Sequence, residues 1–328
     1  MLKVFYATPL LLSALCFSAA AQAHYGERDD VQVFINEMVA KHQYDRNQLG
    51  YWMEMVTPQT GILETIAKPA EGKSWKEYRP IFITNERIQQ GVAFWKINKD
   101  VLQRAEKQFG VPAEVIVAII GVETFYGKRS GNYLVLDALT TLGFDYAPRA
   151  TFFRKELEEY LLMVREEKID PREMRGSYAG AMGMPQFIPS SFRNYAIDFD
   201  GDGKRDLWNN TADVVGSVAN YFKVNGWKTG EPVISRASVT ENVSGLVSTQ
   251  IKPNKLVAEF RQQGVIPIYA FSEKAQAVLL HFEGIEGAEY WLGLDNFYVI
   301  TRYNRSPLYA LAVFQLSQAL FAEYNTVQ

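Results

Sequence analysis

The sequence predicts a mainly α-helical protein with a small α+β module set before its last helix. Three observations carry that expectation. From about residue 29 to residue 225, apolar residues recur mostly at helical spacing. After Gly226 the pattern changes to short β-like runs at 232–235, 277–282, 288–292 and 296–301, interrupted by one short helix at 253–263. A final helical stretch, 307–323, closes the chain. With 328 residues, two domains are the ordinary expectation. The expected division is a leader at 1–23, a helical core at 24–228, the α+β module at 229–295, and a segment at 296–328 that returns to the core.

Residues 1–23 read as a secretory signal peptide. Lys3 supplies the charged start, 4–20 are mostly apolar, and Ala21-Gln22-Ala23 has the small-x-small form of a cleavage site. Cleavage after Ala23 would leave His24 at the mature terminus. The apolar run is too short and wrongly flanked to span a membrane, and no later stretch is long enough. Cys16, the only cysteine, is preceded by Leu15 where a lipid-attachment signal favours a small residue, so a soluble exported protein without disulfides is expected.

Residues 29–56 read as helix, with Asp29 and Asp30 able to cap it and Val33, Phe34, Met38 and Val39 at helical spacing. Pro69, Gly72 and Pro80 make 68–80 read as loop. Asn85 can cap a helix running to about Phe109. Gly110 suits its end, and Pro112 suits the first turn of the next helix. Amphipathic helices are expected over 151–168, capped by Thr151, and over 211–225, capped by Thr211 with Val214, Val215, Val218 and Phe222 inside.

Composition narrows the function. A formal net charge of −3 with no long run of one sign gives no reason to expect nucleic-acid binding. The three histidines are scattered and no His-Glu-x-x-His occurs, which disfavours a zinc hydrolase. Neither a Gly-x-Ser-x-Gly elbow nor a phosphate-cradling loop is present. Aromatic residues make up 13% of the chain, enough for a large core or for sugar-binding platforms.

Glu123 is the most informative residue. Between Val115 and Thr124 it is the only ionisable side chain, and Ile116, Ile119 and Ile120 share its helical face. A carboxyl on an apolar face is costly unless paired or employed. Burial keeps it protonated near neutral pH, as a general acid for glycosidic cleavage requires. A core glutamate paired with an arginine would read the same way at this point. A second segment, 176–192, packs three glycines and two alanines into 176–183, which suits backbone held close against something. Ser177 and Gln186 in it could hold an amide or hydroxyl of a ligand. A third runs Asp198-x-Asp200-x-Asp202-Gly203-Lys204-x-Asp206, the start of an EF-hand loop, whose seventh position ligates through its backbone carbonyl. Position twelve is Asn209, where a strong site has a glutamate.

Together, GVETFYG (121–127), LTTLGFDYAPRATFF (139–153), GSYAGAMGMPQFIPSSF (176–192), DFDGDGKRDLW (198–208), GSVANYFKVNGW (216–227) and ITRYNRSPLYALAV (300–313) resemble the lytic murein transglycosylase B family, lysozyme-like enzymes of bacterial cell walls. The resemblance implies a lysozyme-like helical core containing an EF-hand-like calcium loop. It implies Glu123 as catalytic acid and Ser177 and Gln186 lining the subsite for the N-acetyl sugar. Tyr221, Tyr303 and Asn304 would belong to the groove. Arg149 would be one of a basic pair on the substrate's peptide part, although its partner position holds Pro148. One structural calcium is implied at Asp198, Asp200, Asp202, the Lys204 carbonyl and Asp213, with Asp206 and Asn209 as other candidates to complete it. No organic cofactor is expected. The implied activity is periplasmic cleavage of the bond between N-acetylmuramic acid and N-acetylglucosamine, leaving 1,6-anhydro ends. A monomer is expected, with glycan strands as substrate and the wall-synthesis machinery as a candidate partner. A hydrolytic muramidase is the near alternative. It would need a second carboxylate, for which Asp137 and Asp145 are the nearest downstream. A non-catalytic wall-binding scaffold is the remote one.

Overall fold

The computed structural model describes residues 24–67, 72–240 and 243–326. The signal-peptide reading of 1–23, Cys16 included, lies outside them. The chain divides into two compact units after Val56. In the first, helices α1 (Asp29–His42) and α2 (Arg46–Glu54) bury Phe34, Ile35, Met38, Leu49 and Met53. The single helix expected over 29–56 is therefore two. Gln43 turns left-handed (φ 57°) to end α1, and Asp45 caps α2 by accepting the Gln48 N–H at 2.7 Å.

The second unit begins with α3 (Thr60–Ile66), α4 (Trp75–Phe82), α5 (Asn85–Ile97), α6 (Lys99–Phe109) and α7 (Ala113–Thr124). There follow β1 (Tyr133–Leu134), α8 (Val135–Asp145), α9 (Ala150–Glu167), β2 (Arg175–Gly176), α10 (Pro189–Tyr195) and α11 (Thr211–Val224). Then come β3 (Ile234–Val239), β4 (Lys255–Leu256), α12 (Val257–Gln262), β5 (Val265–Pro267), β6 (Gln276–Gly284), β7 (Gly287–Gly293), α13 (Asp295–Tyr303) and α14 (Pro307–Thr326). This is the mainly helical body with a small sheet that the pattern predicts. Helix α7 is its axis. Ile116, Val117, Ala118, Ile119 and Ile120 are fully buried, with α5, α6, α11 and α14 packed around them. A helix apolar on every side is stable only when surrounded in this way.

The sheet is antiparallel in the order β4-β6-β7-β3-β5. Val257, Phe260, Val265, Leu279 and Leu292 fill a separate core between it and α12. Trp75 of α4 meets Phe282 of β6, with ring centroids 6.1 Å apart.

Several boundaries differ from the sequence reading, each for a local reason. Residues 68–71 of the expected 68–80 loop lie outside the described residues, but 75–82 is helical. Ser74 and Glu77 form a capping box, with Glu77 accepting the Ser74 N–H at 2.8 Å, and α4 ends two residues after Pro80. The cap of α5 is Thr84, one residue before Asn85, and the expected helix to Phe109 breaks at Asn98. Pro112 caps α7 from outside its first turn. Arg149 and Asn210 occupy the cap positions assigned to Thr151 and Thr211; Asn210 accepts the Ala212 N–H at 3.0 Å. The β-like run 296–301 is helix α13. Asn296 and Thr301 are buried in it, and Asn296 bonds the Lys228 and Glu231 carbonyls, so tertiary contacts override β propensity.

Gly121, on the turn of α7 beside Glu123, has no room for a side chain. A Cβ there would lie 2.6 Å from the Tyr126 hydroxyl. Gly121→Ala is expected to lower stability by about 1–3 kcal/mol through overpacking, read as a lower midpoint in urea unfolding.

Candidate active site

Glu123 lies in the last turn of α7 and keeps partial exposure while packed protein surrounds it. Burial raises its pKa to about 7, against one opposing influence, the hydrogen bond that Tyr309 Oη donates to Oε1 at 2.5 Å. Its place at the negative end of the helix dipole also disfavours the anion. Among the described residues no cation and no second carboxylate acts on it. This decides the arginine-pair alternative. The nearby buried Arg87 instead donates to the carbonyls of Gly121 (3.1 Å) and Ile81 (2.6 Å) and sits 4.9 Å from the centre of the Phe125 ring.

The chain just after Glu123 is strained. Phe125 (φ 53°), Tyr126 (φ 61°) and Gly127 (φ 85°) are all left-handed, a conformation costly for the two residues with side chains. At Gly127 a Cβ would approach Met184 Sδ to 3.0 Å. Thr124 ties this turn to the 176–192 segment by donating to the Met184 carbonyl at 2.8 Å. Gln186, two residues on, is left-handed too (φ 51°). Its Nε2 donates to the carbonyls of Ser130 (3.1 Å) and Gly183 (2.8 Å), so its amide oxygen is the group left to accept. Ser177 Oγ accepts the N–H groups of Ala179 (3.3 Å) and Ala181 (3.0 Å), leaving its hydroxyl proton as a donor.

An aromatic wall stands beside Gln186. Tyr303 packs against Tyr221, Phe187 and Phe222 at centroid distances of 4.7, 5.8 and 6.0 Å. Tyr303 donates to the Pro185 carbonyl at 2.5 Å and Tyr221 to the Arg302 carbonyl at 2.6 Å. Both hydroxyls are thus spent on backbone, and these rings act as surfaces. Asn304 is exposed and its side chain accepts the Ser306 N–H at 3.2 Å, shaping the turn into α14. Ser306 Oγ accepts the Tyr309 N–H at 3.3 Å, and Pro307 opens the helix, which places Tyr309 in its first turn. Arg149 is exposed at the start of α9, over the rings of Phe152 (4.4 Å) and Phe153 (5.1 Å).

Two participants escape the sequence reading. Tyr309 lies inside the 300–313 segment but carries no signal of its own, since its role depends on α14 meeting α7. Tyr78 falls in the stretch read as loop. It is half-buried on α4, and burial followed by the charge of Glu123 raises its hydroxyl to about 12. Asp137 is committed elsewhere. It accepts the N–H of Thr57 (3.3 Å) and the Gln59 side-chain amide (3.4 Å).

In the acidic loop, carboxylate oxygens of Asp198, Asp200 and Asp202 lie within 4.8 Å of one another. Asp198 accepts the N–H groups of Gly201 (2.7 Å) and Gly203 (2.8 Å), which turns the loop inward. Asp213 is fully buried, accepting the N–H of Phe199 (2.7 Å) and of Asp206 (2.8 Å). Burial raises its pKa, and the charges of Asp200 and Asp198 add to that against these two hydrogen bonds. Asp206 instead holds its own turn through the N–H groups of Trp208 (2.8 Å) and Asn209 (2.9 Å).

The chain matches the transglycosylase SLT domain over residues 26–318. It is 43% identical over 306 residues to the membrane-bound lytic murein transglycosylase B of Escherichia coli K12, covering 90% of this chain and 84% of that one. It is similar to the crystal structure of catenated lytic transglycosylase SltB1 from Pseudomonas aeruginosa, with 50% identity and a TM-score of 0.88 over 92% of this chain and 99% of that one. It is similar also to the Escherichia coli lytic transglycosylase Slt35 solved in complex with calcium, with 42% identity and a TM-score of 0.85 over 92% and 95% of the two chains.

The raised pKa has a measurable cost. Between the ordinary value of 4.5 and about 7, Glu123 ionises in the unfolded chain but stays protonated in the folded one, so stability falls as pH rises across that window. Glu123→Gln is therefore expected to be more stable than the parent at pH 8 by up to about 3 kcal/mol. The gain should vanish at and below pH 4.5, as urea midpoints at the two pH values would show. Tyr309→Phe removes the one hydrogen bond favouring the anion. The pH above which activity declines should then move upward, with turnover at pH 7 reduced about tenfold.

Proposed function

The chain belongs to the transglycosylase SLT domain family and is a peptidoglycan lytic transglycosylase; on that premise we propose that Glu123 alone carries both proton transfers of the reaction. The observation that supports this is a single carboxyl whose pKa is raised to about 7, with no second carboxylate acting on it among the described residues. In the first step Glu123 gives its proton to the oxygen linking C1 of N-acetylmuramic acid to O4 of N-acetylglucosamine. The C1–O bond breaks and the glucosamine leaves with a 4-hydroxyl. Positive charge develops at C1, and the muramic acid's own acetamido oxygen stabilises it in place of an enzyme carboxylate. The Ser177 hydroxyl donates to that acetamido group and the Gln186 amide oxygen accepts its N–H, which orients it for attack.

In the second step ionised Glu123 takes the proton of the muramic acid 6-hydroxyl. O6 bonds to C1, the acetamido oxygen is released, and a 1,6-anhydro ring closes with no water consumed. Glu123 ends protonated, ready for the next bond. A pKa near 7 suits a group that must be acid and then base. Tyr309 holds the carboxyl's orientation through both steps. Tyr303 and Tyr221 form the apolar wall against a sugar ring, Asn304 stands at its edge, and Arg149 offers a charge to the peptide branch.

The acidic loop fits a hard cation on its own geometry. Three carboxylates converge, and a fourth, Asp213, is buried behind them where their charges oppose its ionisation. We assign one calcium to Asp198, Asp200, Asp202, the Lys204 carbonyl and Asp213, in line with the calcium complex of Slt35. Bound there it supplies charge neutralisation and braces the loop. Asp213 is preferred to Asp206 or Asn209 because the charges of Asp200 and Asp198 act on it. Among the described residues no helix is long and apolar enough to cross a membrane. The leader at 1–23, cleaved after Ala23, is read as export to the periplasm. The sheet region at 229–295 is read as a module inserted before the chain returns to the core.

Mass spectrometry of fragments released from purified sacculi separates the alternatives. The expected products carry 1,6-anhydromuramic acid ends, and a folded Glu123→Gln variant should lose at least about two orders of magnitude in rate. Reducing muramic acid ends would make the enzyme a hydrolase. Chelation is expected to lower the thermal midpoint by several degrees, restored by calcium. Equal midpoints with chelator and with calcium would remove the metal from the account.

A further inference from the structure

A second cavity, of ≈ 320 Å³, opens between the C-terminal end of α9 and the acidic loop. Its apolar part is Ile169, Met174 and Trp208, all half-buried. Trp208 donates its indole N–H away to the Arg175 carbonyl at 3.0 Å, so the ring serves the cavity as a surface. The acids in its wall are already engaged. Glu167 accepts from Arg205 Nε at 2.9 Å, and Asp206 accepts the backbone N–H groups described above. Arg205 is spent on Glu167 in the same contact. What remains are the ammonium groups of Lys168 and Lys204, both exposed on the wall and, among the described residues, without an ion pair or side-chain hydrogen bond.

Two unspent cations above an apolar floor select an anion attached to a small apolar body. In peptidoglycan the glycan backbone is neutral, and the free carboxylates belong to the peptide branches, beside alanine methyl groups. We propose that this cavity binds a carboxylate of a peptide branch, a second grip on the polymer outside the groove at Glu123. Its position is suitable. Arg175, which Trp208 holds, is two residues from Ser177, and the Leu207 carbonyl accepts the Met184 N–H at 2.8 Å. The walls of cavity and groove are thus joined through backbone hydrogen bonds.

This inference rests on the chain acting on peptidoglycan, and its test keeps the two apart. Full-length protein carrying Glu123→Gln, which leaves the polymer uncut, is co-sedimented with intact sacculi and with sacculi stripped of their free carboxylates by carbodiimide coupling to ammonia, which keeps the cross-links. Adding Lys168→Glu should weaken binding to intact sacculi about tenfold and flatten its salt dependence, while binding to stripped sacculi is unchanged. Lys168→Arg should retain binding, and Lys204→Glu should repeat the loss, with thermal midpoints confirming that each variant folds. With Glu123 restored, Lys168→Glu should cleave the stripped sacculi at the parental rate, so a failure of the catalytic reading would appear in that assay instead. Undiminished binding of the Lys168→Glu protein to intact sacculi, or an equal loss on stripped ones, overturns the proposal.

Discussion

The structure is organised around one costly act, the burial of the Glu123 carboxyl at the end of a helix whose middle is apolar on every side. Among the described residues no cation offsets the charge of Glu123, and the one polar contact made to it is the Tyr309 hydroxyl at 2.5 Å. Such a group stays neutral until something draws its proton away. Helix α7 must be enclosed for this to hold, and α5, α6, α11 and α14 enclose it. The last of these also brings Tyr309. The chain's C-terminal helix thus completes an environment whose acid lies nearly two hundred residues earlier, and the sheet region is threaded between them.

Backbone strain has a place in the same scheme. Left-handed Phe125 and Tyr126 follow Glu123 within three residues, and left-handed Gln186 carries the amide across from it. Each is held by contacts that leave little freedom. Tyr126 is lodged against Gly121 and donates to the Arg87 carbonyl at 2.9 Å, while Thr124 bonds the Met184 carbonyl. The packed body sustains these conformations, and in return the acid and the amide keep a fixed relation. The acidic loop extends that rigidity. Met184 and Leu207 are joined backbone to backbone, so whatever steadies the loop steadies the segment bearing Ser177 and Gln186.

Glu123 was legible because its chemistry contradicts its surroundings, and the Asp198–Asp202 alternation because it follows the spacing of an EF-hand loop. Helix existence was legible from apolar spacing, as at α9 and α11. Boundaries were less so: Thr84 and Asn210 cap where their neighbours also could, and the choice is made by which side chain reaches a free N–H. Helix α4 was hidden by Pro80, and α13 by a β-like composition that burial of Asn296 overrides. Tyr309 and Tyr78 are ordinary tyrosines in sequence. They matter only through contacts between elements far apart along the chain, which no local pattern records. Arg149, singled out by resemblance, lies over the rings of Phe152 and Phe153.

The central claim is that surroundings, not a partner, keep Glu123 protonated until it acts. Carbon-13 NMR of glutamate side-chain carboxyls, titrated in the free enzyme and assigned by comparison with Glu123→Gln, reads this directly. The account predicts one resonance, absent from the variant, that titrates near pH 7. A Glu123 resonance titrating near the ordinary 4.5 would contradict it, because the acid would then be ionised before any substrate arrived.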